Sequence, residues 1–135
     1  MYEIFDNLDL KIQLQNLDYA FLMMYAQWRG VYYVQLEDDI LTKRHFVTTM
    51  LDFAAEKTTL AQAGRASDWF VIDFCQLGFI GKLFKGVELP ILIQFLIMFY
   101  SDKPGDWLLD HVVETKVCRL EDRVFVCILF FQIIK

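Results

Sequence analysis

With 135 residues the chain is one domain at most, yet long enough to bury a core of its own. It is 56% apolar and has 13 phenylalanines, which excludes disorder and exceeds the ~45–50% usual for a soluble domain. The excess suggests that some apolar surface belongs against neighbours. The net charge of −5 comes with no basic stripe, so nucleic acid is excluded as a partner.

Asn16 reads as a helix N-cap, with Asp18 in the first turn and Leu17, Phe21, Met24 and Trp28 recurring on one inner face. Gly30 is a natural stop. Val31 to Leu36 is an apolar strand that ends abruptly in Glu37, Asp38 and Asp39. Ligands of open α/β sheets collect at the carboxyl ends of such strands. Three adjacent carboxylates repel unless water or a divalent cation screens them. The pattern suits a metal holding a diphosphate, and it also suits an ordinary acidic turn, the commoner case for an acidic strand end.

Thr42 is placed to cap a second helix with Phe46, Val47, Met50, Leu51 and Ala54 inward. Thr58 to Ser67 is small and polar and reads as a loop. Trp69 to Phe74 is a second buried strand. Gly78 and Gly81 then permit tight turns before Lys82, without completing a dinucleotide fingerprint. Lys82 is read as a solvated lysine within reach of a phosphate. Pro90 suits the first turn of a buried helix running to about Tyr100. After the turn at Ser101 to Gly105, Asp106 is expected to cap a short helix through His111. The order helix, strand, helix, strand, helix, helix argues for α/β architecture with neighbouring parallel strands. Phe21, Met24, Phe74, Phe79, Phe95 and Phe99 are expected in the core.

The cysteines, Cys75, Cys118 and Cys127, form no CxxC and no histidine-linked cluster, which speaks against structural zinc. His45 and His111 have no partners at metal spacing. Met1 to Leu10 is acidic and reads as neither a signal nor an anchor. The apolar run Val124 to Ile134 is too short for the ~20 residues of a spanning helix. It fits a core strand, an interface segment or a non-native chain end.

Four blocks, LDYAFLMMYAQ (Leu17 to Gln27), YYVQLEDDI (Tyr32 to Ile40), QLGFIGKLF (Gln76 to Phe84) and DKPGDWLLDH (Asp102 to His111), keep their order along the chain. Together they resemble the α-1,3-mannosyl-glycoprotein 4-β-N-acetylglucosaminyltransferases, the N-acetylglucosaminyltransferase IV family. The resemblance divides the chain into a non-matching segment 1–15, a partial glycosyltransferase domain 16–119 and a divergent apolar tail 120–135.

That resemblance implies a partial GT-A-like, Rossmann-like fold and a Golgi setting. It implies transfer of N-acetylglucosamine from UDP-N-acetylglucosamine to a core mannose 4-hydroxyl of an N-glycan acceptor. By match to the family's acidic motif, Asp39 contacts a divalent metal, manganese above all, with Asp38 and Glu37 in support. The reaction is expected to invert at the sugar carbon in a single in-line displacement. Asp106 is the first candidate for the base that takes the acceptor proton, and Asp110 the second. Gly78, Gly81 and Lys82 are expected to shape the donor pocket. Gly105 stands where the family has an apolar residue, which is expected to loosen the approach to Asp106. With much of the donor pocket missing, this chain alone is expected to be inactive or nearly so. The alternative is a non-catalytic family-like protein that binds or modulates other Golgi glycosyltransferases.

Overall fold

The computed structural model describes residues 2–66, 68–117, 123–125 and 131–133, with side chains from 7 to 115 apart from 67. Helix α1 (Tyr2–Ala26) leads into strand β1 (Tyr32–Gln35), a turn, and β2 (Ile40–Thr42). Helix α2 (Phe46–Gln62) is followed by β3 (Val71–Asp73) and β4 (Lys82–Lys85). Helices α3 (Leu89–Met98) and α4 (Gly105–Val112) come next, then β5 (Arg123–Phe125) and β6 (Phe131–Ile133).

The main sheet has the order β1-β4-β3-β5, and β2 pairs separately with β6. Strand β4 lies antiparallel between β1 and β3, so β1 and β3 run the same way without touching. The expected parallel neighbours are therefore separated. The reason is the short Cys75–Gly81 connection, which returns the chain as a hairpin. Gly78 and Gly81 sit there at φ 53° and 66°, a conformation that glycine adopts without strain. Parallel pairing occurs once, between β3 and β5. The class is α/β, with a small and mostly antiparallel sheet.

Successive strand residues point to opposite faces, and each face has its own core. Phe84 and Val71 pack with Tyr19, Ala20 and Met23 of α1, Leu92 and Leu96 of α3, and Leu108, Leu109 and Val112 of α4. Leu83 and Ile72 pack on the other face with Met50 and Ala54 of α2, Trp69 and Phe74. Truncating a fully buried leucine such as Leu92 or Leu109 to alanine would cost ~2–5 kcal/mol.

Several local expectations are corrected. Asn16 is no cap: α1 runs through it, and its side chain is fully buried. The inner face of α1 is Asn16, Tyr19, Ala20 and Met23, one position away from the face expected. Phe21, Met24 and Trp28 are exposed at 69%, 47% and 85%. From Tyr19 to Ala26 the helix is apolar all round, so periodicity could not choose between its faces.

Thr42 belongs to β2, and α2 starts after His45, which holds a left-handed backbone (φ 61°). Val47 and Leu51 are exposed, whereas Met50 and Ala54 are buried. Helix α2 also continues through the first half of the segment expected as a loop, to Gln62. The hydroxyls of Thr58 and Thr59 donate back to the carbonyls of Ala54 and Ala55, and Trp69 Nε1 donates to Thr58 Oγ1 at 3.1 Å. Pro90 stands in the first turn of α3 as expected, and Phe74 and Phe79 are buried. Asp106 lies inside the first turn of α4, behind Pro104 at the cap position. Cys118 and Cys127 lie outside the described residues.

Candidate active site

The carboxyl ends of β1 and β3 and the start of β4 form one edge of the sheet, because Gln35 pairs with Lys82 and Lys82 with Asp73. These three polar side chains share the α1 face, and each is at most 5% exposed. Lys82 Nζ lies 2.6 Å from Asp73 Oδ1 and donates to the Cys75 carbonyl at 2.6 Å. Lys82 is therefore not the solvated lysine expected from sequence; its ammonium is enclosed. The Tyr33 hydroxyl donates to Gln35 Oε1, and Gln35 Nε2 donates to the Leu36 carbonyl. Burial pushes the Tyr33 phenol up to about 12.

Glu37, Asp38 and Asp39 follow this edge directly. Glu37 is half-buried, and Asp38 and Asp39 are exposed in the turn before β2. The Tyr19 hydroxyl donates to Glu37 Oε1 at 3.4 Å, a long contact. Burial raises the Glu37 proton affinity, and the charges of Asp39, Asp38 and Asp106 raise it further against the opposing hydrogen bond from Tyr19. Burial likewise holds the Tyr19 proton well above the usual phenol range, assisted by Glu37 and Asp106.

The approach of α4 is set by Gly105. A Cβ there would meet Asn16 Oδ1 and the Tyr19 ring at 3.1 Å. The glycine therefore tightens the packing beside Asp106, contrary to the loosening expected. Asp110 is exposed one turn further along α4. Gly81 joins the same edge, its amide donating to the Gln35 carbonyl at 2.8 Å, while Gly78 is exposed at the hairpin tip.

The structure thus brings Glu37, Asp106, Gly81 and Lys82 to one end of the sheet, with Asp38 and Asp39 on the adjoining turn. Sequence reasoning missed Asn16, Tyr19, Gln35 and Asp73 as parts of it. The signal available for the last two was a polar residue closing an otherwise apolar run, at Gln35 in VYYVQL and at Asp73 in WFVIDF.

A divalent cation matches the chemistry of these donors, since carboxylate oxygens are hard ligands. Among the described residues, no three Asp, Glu, His or Cys side chains are grouped to enclose an ion by themselves. Among the described residues no helix is long and apolar enough to cross a membrane.

No solved structure matches the chain at a significant level. Among curated proteins it is 53% identical over 107 residues to alpha-1,3-mannosyl-glycoprotein 4-beta-N-acetylglucosaminyltransferase B of Homo sapiens and of Mus musculus. The aligned part is 79% of this chain and 18% of each relative. It is 50% identical over 107 residues to the A form of Gallus gallus, covering 79% of this chain and 19% of that protein. The chain therefore spans about a fifth of the length of these relatives. A model of the MGAT4 conserved region matches residues 8–133, nearly the whole chain. On both grounds, the chain belongs to the family defined by the MGAT4 conserved region.

Proposed function

We propose that the chain carries the metal-binding turn and the catalytic base of an inverting N-acetylglucosaminyltransferase with a GT-A-like catalytic domain. Its donor is UDP-N-acetylglucosamine, its acceptor a core mannose 4-hydroxyl of an N-glycan, and its setting the Golgi. The observation that carries this reading is Tyr19, whose hydroxyl reaches Glu37 and whose ring packs against Gly105 next to Asp106, in a chain of this family.

Asp39 would hold the divalent ion, manganese above all, with Asp38 and Glu37 in support. When bound, the ion neutralises charge developing on the departing UDP. Asp106, half-buried in the first turn of α4, takes the proton of the acceptor hydroxyl as the new bond forms. Asp110 is the second choice and is more open to solvent. Lys82 acts from within the core by holding the β3–β4 hairpin, whose Gly78 and Gly81 shape the pocket wall.

Titration calorimetry of UDP with manganese, on the parent chain and on Asp39→Ala, tests the reading. Binding is expected for the parent and none for the variant; equal binding by both overturns the role of Asp39. The isolated chain is expected to transfer at ~1% or less of a complete enzyme, since a ~1 Å misplacement alone costs ~100-fold. A folded parent that binds neither UDP nor manganese supports the alternative, a non-catalytic protein that modulates other glycosyltransferases.

A further inference from the structure

We propose that Asn16 and Tyr19, one turn apart on the buried face of α1, are positioning residues that set Asp106 against the Glu37–Asp39 turn. The inference rests on the functional reading above, because it assigns the register of that same site.

Asn16 is 0% exposed in the middle of a helix, where an apolar residue would pack without desolvating an amide. Its Nδ2 donates to the Tyr100 carbonyl at 2.9 Å and to the Lys103 carbonyl at 2.7 Å. Both belong to the connection between α3 and α4, where carbonyls past a helix end have lost their helical partners. Both partners are acceptors, so the orientation of the amide is fixed. Asn16 therefore pins the connection just before Pro104, Gly105 and Asp106. Its Oδ1 is buried without a hydrogen-bond partner and faces Gly105.

Tyr19 lies on the same face, because residues three apart on a helix are neighbours. One side of its ring bounds the space over Gly105, and the ring stacks on Phe79 with centroids 4.8 Å apart. Its hydroxyl reaches Glu37. One turn of α1 thus touches both halves of the site: Asn16 fixes where α4 begins, and Tyr19 fixes where Glu37 points. At 3.4 Å the hydrogen bond to Glu37 is long, so its contribution to global stability is small.

The test uses the full chain labelled with nitrogen-15. Tyr19→Phe keeps the ring and its stacking and removes only the hydroxyl. Its thermal midpoint should stay near the parent's, while the Glu37–Asp39 amides shift and UDP–manganese affinity falls about 10-fold, as for the loss of an outer-shell partner. Asn16→Leu removes both donor hydrogens while keeping the branched side-chain shape. It should shift the Asp106 amide and also the Glu37–Asp39 amides, which Asn16 reaches only through Tyr19 and α4. The proposal is overturned if Asn16→Leu leaves the Glu37–Asp39 amides in place, or if Tyr19→Phe binds as well as a parent that binds. If Asn16→Leu does not fold, the affinity and amide shifts of Tyr19→Phe decide alone. If the parent binds no UDP with manganese, the functional reading fails, and the amide shifts still decide the positioning.

Discussion

The two ends of the main sheet carry the same chemical pair in opposite surroundings. Strand β4 has a lysine at each end, and each lysine meets an aspartate. At the carboxyl edge of β1 and β3, Lys82 and Asp73 lie 2.6 Å apart with side chains 2% and 1% exposed. At the other end, Lys85 pairs with Asp68, whose side chain is 69% exposed, and sits 4.8 Å above the Trp69 ring. The first end continues into Gln35, Tyr33, Tyr19, Glu37 and Asp106. The second opens on a 510 Å³ pocket lined in part by Trp28, Val31, Val87 and Pro90. Charge at one end is built into the core beneath a candidate site; at the other the lysine is 15% exposed and only its aspartate stands in solvent, beside an apolar surface. Position in the sheet, not residue type, sets what a Lys–Asp pair does.

Breaking the buried pair gives the largest expected effect. Asp73→Ala leaves an ammonium in the core with only the Cys75 carbonyl among its assigned contacts, and should cost about 3–5 kcal/mol in urea unfolding. A loss below about 1 kcal/mol would mean that water reaches Lys82 and that the two ends are alike.

Gly105→Val tests how closely α4 must approach α1 at the same end. A Cβ already meets Asn16 and Tyr19 at 3.1 Å, and the two methyls beyond it should bring the loss to about 1–3 kcal/mol. The Asp106 amide should move with it in nitrogen-15 spectra. An unchanged midpoint and spectrum would show that the contact gives way freely.

A smaller effect, dependent on pH, is expected at Glu37. Its folded carboxyl holds its proton above the ordinary value of 4.5, chiefly through burial. Between that value and the folded one, the native state binds more protons than the unfolded state. The stability from Glu37 is therefore fully present below 4.5 and falls as pH rises through this window. Glu37→Gln should flatten that part of the stability profile, measured by urea unfolding at a series of pH values. An unchanged slope would assign the effect to another group.

The smallest effect belongs to the half-exposed pair. Lys85→Met should change stability by about 0–1 kcal/mol, because Asp68 keeps its water and methionine fills the space of the lysine stem. Salt should weaken the contribution further. A loss comparable to that of Asp73→Ala would erase the contrast between the two ends.

The sequence by itself determined the four helices, strands β1 and β3, the turn glycines and the carboxylate cluster at the end of β1, but not β4, the strand that lies between β1 and β3. It also determined family membership, because long blocks such as YYVQLEDDI survive in order. These are local properties: a strand that ends in three acids, or a glycine with positive φ, is specified by its own neighbours. Tertiary structure decided the rest. Helix α1 is apolar on several faces, so only packing against α3 and α4 selected Asn16, Tyr19 and Met23 over Leu17, Phe21 and Met24. Lys82 reads as a surface lysine until β3 brings Asp73 beside it. Asn16 reads as a cap until the carbonyls of Tyr100 and Lys103 arrive from more than eighty residues away. Buried polar groups take their partners from distant parts of the chain, and no local pattern encodes which parts will meet.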